Sequence, residues 1–123
     1  MRRRLPPDRA GLAKTFRVPR ADGEPMTVYV VVNTYEDGAP GEMFVYGERM
    51  GELEHGLLDQ WATMASIALQ HGAPITTLVD KMVGQRFNPA GITTDPQYRT
   101  VSSVVDYIGR WLRDSFVPQE VAA

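Results

Sequence analysis

Lys81, Arg86, Phe87 and Arg99 flank a stretch rich in Pro and Gly, and cations beside an aromatic ring can receive a phosphate or a nucleotide. The competing reading is that Arg86 pairs with a helix carboxylate, Asp80 or Asp106, and anchors the loop. It is the favoured one, because a buried Arg usually serves such a pair. A second cationic group opens the chain. Arg2, Arg3 and Arg4 head residues 1–20, whose net charge is +6, whereas the rest of the chain carries −8. Such an arm can touch phosphate backbones or an acidic partner; the blander reading, again favoured, is a solvated tail or one folded back on its own acidic body. Arg110 follows Asp106 by four residues, the spacing of a helical ion pair.

Other chemistry is poorly provided for. Glu52-Leu53-Glu54-His55 has the Glu-x-x-His spacing of di-iron bundles, but that site needs a second such pair and the chain has none. His71 lies ~160° round a helix from His55, so the two cannot converge on one ion, and no metal site is expected. With no cysteine in the sequence, disulfides, thiolate metal sites and a cysteine nucleophile are excluded. There is no Gly-rich loop ending in Lys-Ser/Thr, no dinucleotide fingerprint and no nucleophile elbow. Gly38-Ala39-Pro40-Gly41 has the spacing of a backbone-clamping loop, yet it falls between two strands and reads as a turn. Glu36-Asp37 and Glu52 with Glu54 read as solvated carboxylates. No catalytic or cofactor-binding residue is expected.

The elements that position these residues follow from patterning. A chain of 123 residues, 43% of them apolar, fits one domain. The longest apolar run, Val28 to Val32, is too short for a membrane helix, and Leu5-Pro6-Pro7 after the arginines does not continue as a signal segment, so a soluble, cytoplasmic protein is expected. Residues 1–12 read as a basic extended arm, 13–117 as one α+β domain and 118–123 as a tail. Lys14 to Val18 is a candidate strand, Ala21-Asp22-Gly23-Glu24 a turn, Met26 to Tyr35 the strongest and therefore central strand, and Glu42 to Tyr46 the third. From residue 53 the period changes. Leu57, Trp61, Met64, Ala65 and Ala68 fall on one helical stripe that ends before Gly72. Pro74 is expected to start a second helix carrying Ile75, Leu78, Val79 and Met82, stopped by Gly84. Residues 84–99 form a long loop. Val101, Val104, Val105, Ile108, Trp111 and Leu112 mark a third helix, capped by Ser102 or Ser103 and closed by Pro118. The predicted architecture is a three-stranded antiparallel meander followed by three helices packed on one face.

The run Tyr35-Glu36-Asp37-Gly38-Ala39-Pro40-Gly41-Glu42-Met43-Phe44-Val45 resembles the TSCPD-type C-terminal domain of adenosylcobalamin-dependent (class II) ribonucleotide reductases. The resemblance continues through Gly56-Leu57-Leu58-Asp59, Ser66 to Pro74, Leu78-Val79-Asp80-Lys81, Arg86-Phe87-Asn88-Pro89-Ala90-Gly91 and Ser103 to Leu112, in family order, and even Arg4-Leu5-Pro6 with Lys14-Thr15-Phe16 looks like its start. It departs at Gly47-Glu48-Arg49-Met50-Gly51-Glu52, where the family tends to carry a Lys-Glu-Gly-Ser type turn. It also lacks the family's cysteine-containing tail. The resemblance implies a domain appended to a reductase and not the reductase's own chemistry, since the radical and reducing cysteines and the cobalamin site belong to other regions; adenosylcobalamin would enter only through a partner.

Two functions from different classes are therefore expected. The first is a non-catalytic accessory or regulatory module for deoxyribonucleotide synthesis, here free-standing, which docks on a class II reductase or acts as a subunit of a ribonucleoside-diphosphate reductase. The second is an independent binding protein for nucleotides or nucleic acid, using the arm and the Arg86/Phe87 loop. A module this small is also expected to expose an apolar strand edge or helix face that a homodimer would bury.

Overall fold

The computed structural model describes residues 1–20 and 23–118. Three long strands come first: β1 (Gly11–Val18), β2 (Met26–Thr34) and β3 (Pro40–Glu48). They form one antiparallel sheet in the order β1-β2-β3, with Phe16 opposite Val28 and Val30 opposite Val45. The β-branched run of Met26–Thr34 is central, as its composition requires. Helices α1 (Glu52–Gln70), α2 (Ile75–Met82) and α3 (Val104–Phe116) follow. Because side chains alternate along a strand, Phe16, Val18, Val28, Val30, Val32, Met43 and Val45 share the inner face and join Val79, Met82, Ile108, Trp111 and Leu112 in one core. On the opposite face of β3, Phe44 and Tyr46 remain about half exposed. The fold is α+β, with the helices on one face of the meander.

Several local expectations shift. Strand β1 begins at Gly11, earlier than Lys14, because Gly11 and Leu12 already pair with Asn33 and Val32. Of the turn at 21–24, Ala21 and Asp22 lie outside the described residues, as do residues 119–123 of the tail. Pro74 is the extended cap of α2, and the helix proper starts at Ile75. Val101 belongs to a two-residue strand, β5 (Thr100–Val101), that pairs with β4 (Gly91–Ile92), so the 84–99 loop carries a small ladder that its Pro and Gly content concealed.

The largest correction concerns α1. Of the expected stripe of Leu57, Trp61, Met64, Ala65 and Ala68 only Ala65 is fully buried; Leu57 and Met64 are 62% and 58% exposed. The helix is turned by about one residue, ~100°, so that Leu58, Ala62, Ala65, Ser66 and Leu69 face inward. The reason is polar. β3 is an edge strand whose outward amides and carbonyls need partners. Ser66 Oγ accepts from the Met43 amide at 2.8 Å and donates to its carbonyl at 3.2 Å, and Gln70 Nε2 donates to the Gly41 carbonyl at 3.0 Å. Two residues that look like a solvent face seal the sheet edge.

The candidate functional site, an apolar groove beside the 84–90 loop

The 84–90 loop is held by Asp106, which is 5% exposed. Ser103 caps α3 by accepting from the Asp106 amide at 2.9 Å, which aims the Asp106 carboxylate back at the loop. That carboxylate accepts from the Gly84 amide at 2.8 Å and the Ser102 amide at 3.0 Å, and pairs with Arg110 at 3.4 Å. Ser103 also donates to the Gln85 carbonyl at 2.7 Å, and the Phe87 amide donates to the Ser102 carbonyl at 3.1 Å. The anchoring role expected of Arg86 therefore belongs to Arg110. Arg86 itself is exposed and has no ion-pair partner among the described residues.

A loop held at Gly84, Gln85 and Phe87 presents its apolar tip to α1. Phe87 and Pro89 on one side, Leu57, Leu58 and Trp61 on the other, and Val104 and Val105 below enclose a groove of about 350 Å³. Glu54 and Asn88 lead from it into a more polar cleft lined by Pro19 and Arg20. The groove walls are carbon-rich and rigid on the loop side. This suits an apolar side chain or a helix face better than an anion.

The expected cationic constellation is dispersed. Phe87 lines the apolar groove, whereas Arg99 lines a separate cleft with Ile92 and Asp95. Lys81 stands exposed in the last turn of α2, and Arg110 is committed to Asp106 and to the Thr100 carbonyl at 2.5 Å. The arm is folded back on its own body. Arg2 Nε donates to Gln70 Oε1 at 2.6 Å, the Arg3 amide donates to the Gln70 carbonyl at 2.7 Å, and the Arg3 guanidinium lies 4.0 Å from the Tyr35 ring centroid. Tyr35 donates in turn to the Arg3 carbonyl at 2.5 Å, and Arg9 pairs with Glu42. Arg4 remains exposed.

Sequence reading missed one polar cluster. The Tyr107 hydroxyl donates to Asp95 at 2.6 Å, Lys14 pairs with the same carboxylate at 3.1 Å, and Tyr98 donates to Asp114 at 2.6 Å. Burial works to raise Asp95, but the bonds from Tyr107, the Gln97 amide and Lys14 outweigh it and hold the carboxyl below its ordinary range. Burial, and then the bond to Asp95, push the Tyr107 phenol far up, so it stays a donor. The cluster ties β1 to the 93–98 loop and α3. No pattern in one sequence pairs Lys14 with Asp95. Among the described residues no group of His, Asp and Glu is arranged to hold a metal, and no helix is long and apolar enough to cross a membrane.

The chain belongs to the TSCPD domain family, whose model matches residues 3–116. It is 39% identical over 120 residues to the vitamin B12-dependent ribonucleotide reductase of Streptantibioticus cattleyicolor, covering 98% of this chain and 19% of that protein. The reductase of the same name from Streptomyces avermitilis is 39% identical with 98% and 12% covered, and that from Rhodopirellula baltica is 40% identical with 94% and 11% covered. The chain thus spans less than a fifth of the length of these relatives. No solved structure matches it.

Proposed function

We propose that this chain is a non-catalytic accessory module of deoxyribonucleotide synthesis that acts by docking on a vitamin B12-dependent ribonucleotide reductase. The observation that carries the reading is the groove between α1 and the 84–90 loop. Its walls are apolar, its loop side is held by hydrogen bonds to the buried Asp106 and Ser103, and it lies within a domain similar over nearly its whole length to one segment of such reductases. Adenosylcobalamin and the radical chemistry would be supplied by the partner. Mixing the purified chain with a B12-dependent reductase and weighing the complexes by mass photometry tests this. A complex is expected, weakened at least tenfold by Phe87→Ser, which is ~1.4 kcal/mol; no complex and unchanged turnover would refute it.

A second reading, a binding protein for nucleotides or nucleic acid, is favoured by Arg86 standing exposed, with no ion-pair partner among the described residues, beside exposed Phe87. It predicts a thermal shift with nucleotide that Arg86→Ala abolishes; a ligand at 100 times its Kd stabilises by ~2.7 kcal/mol, so flat melting curves would dismiss it.

A further inference from the structure

The two edges of the sheet are treated differently. Ser66 and Gln70 seal the β3 edge, whereas no described residue seals β1. The Thr34 amide donates to the Ala10 carbonyl at 2.9 Å, and in an antiparallel ladder such a hydrogen-bonded pair recurs at every second residue. Leu12, Lys14, Phe16 and Val18 therefore bond to β2, and the amides and carbonyls of Gly11, Ala13, Thr15 and Arg17 point away from it. Gly11, Ala13, Thr15 and Arg17 are exposed, and these backbone groups have no hydrogen-bond partner among the described residues. A row of such groups is a template for one more strand.

The residues along this edge fit a second copy of themselves. Two β1 strands placed antiparallel about Lys14 set Gly11 against the partner's Arg17 and Ala13 against the partner's Thr15, and the two-fold axis repeats both pairs, so every outward amide and carbonyl is met. A shift by two residues leaves either Arg17 or Gly11 beyond the end of the facing strand. The side chains agree with this register. Arg17 has no hydrogen-bond or ion-pair partner among the described residues. Gly11 leaves its place on the outer face to Asn33, since a Cβ there would collide with Asn33 Oδ1. Asn33 Nδ2 donates to Glu42 at 2.7 Å, so Oδ1 remains as an acceptor lying over the edge strand. The partner's Arg17, opposite Gly11 on the same face, donates across the glycine to that oxygen. Lys14 falls on the axis, where like charges would repel, but each lysine is already paired with its own Asp95 at 3.1 Å.

We propose that β1 is the interface of a two-fold homodimer in which the β1 strands of two copies pair antiparallel about Lys14 and join the two sheets into one, with Arg17 of each copy against Asn33 of the other. None of the residues that line the apolar groove belongs to β1, so the dimer and a partner docked in the groove do not compete for the same residues. The proposal does not rest on the reductase reading, because it concerns the purified chain alone.

Thr15→Pro isolates the interface. It removes an outward donor and leaves the ladder to β2 intact, a setting in which a strand accepts proline. The unmodified chain is expected to sediment at twice 13.7 kDa at about 100 µM, where a Kd of ~10 µM leaves mostly dimer. Thr15→Pro should sediment at 13.7 kDa with an unchanged far-ultraviolet spectrum. Arg17→Ala, at an exposed position, should raise the Kd about tenfold. Because the sequence has no cysteine, the register can be read directly. A mixture of Ala13→Cys and Thr15→Cys chains should oxidise to a covalent dimer. Either chain alone should give little, because like positions are displaced ~7 Å along the strands and, with the spacing between strands added, exceed the ~7 Å Cα separation that a disulfide spans. A monomeric unmodified chain, a dimer that survives Thr15→Pro, or one cysteine chain cross-linking alone as well as the mixture would overturn the proposal. A monomer that binds a reductase through this edge, and loses it with Thr15→Pro, would overturn it too and assign the edge to that partner.

Discussion

Asp106 is the residue on which the groove depends. It accepts two backbone amides and one guanidinium while buried, so its loss leaves those donors and the Arg110 charge without their acceptor. Asp106→Ala is expected to cost ~3–5 kcal/mol and to raise hydrogen exchange at the Gly84 and Ser102 amides; unchanged protection there would remove Asp106 from its role. Asp95 gives a pH dependence of definite sign. Its carboxyl is held below the ordinary value of 3.8 in the fold, so the unfolded chain binds the proton more readily and the contribution is fully present above that value. It is lost as pH falls through the folded value. Denaturant midpoints should therefore drop on acidification below about pH 4, and Asp95→Asn should flatten that drop. At neutral pH, Tyr107→Phe should cost ~1.5–3 kcal/mol, the range for a hydrogen bond to a charged group.

At the scale of elements, the two tryptophans separate core from surface. Trp111 is 7% exposed inside α3's buried face, whereas Trp61 only borders the core. Urea titration of Trp111→Ala should show a loss of ~3–5 kcal/mol, the range for a buried large aromatic, and Trp61→Ala a clearly smaller one. The α2–α3 contact is closer than side chains usually permit, since a Cβ at Gly109 would sit 2.6 Å from the Met82 Cβ and 3.1 Å from the Val83 amide. Gly109→Ala gains helix propensity of ~1 kcal/mol, yet it must push two helices apart. A net loss of stability is expected, and a rise in melting temperature would contradict the packing.

For the whole molecule, the docked arm decides between a tail and a structural strap. Deleting residues 1–9 exposes Gln70 and Tyr35 and strands Glu42 without Arg9. A loss of ~1–3 kcal/mol is expected, from the unmade hydrogen bonds; a solvated tail would cost nothing in the same titration.

The sequence by itself determined the three long strands, the three helices and their order. The β-branched run at Met26–Thr34 allows only a central strand, Gly72 at φ +96° ends α1 where the left-handed region is needed, and Ser103 before an apolar period sets the start of α3. These are local properties of the chain, fixed by sterics within a few residues. Which face of α1 is buried was decided by the fold, because hydrophobic periodicity weighs only apolar side chains and could not know that Ser66 and Gln70 would meet unpaired backbone at Met43 and Gly41. For the same reason Arg110 took the place expected of Arg86, Lys14 found Asp95 some 80 residues away, and the arm found Gln70. Each is a pairing across long stretches of chain, and only tertiary structure brings such donors and acceptors within reach while excluding the water that would otherwise satisfy them.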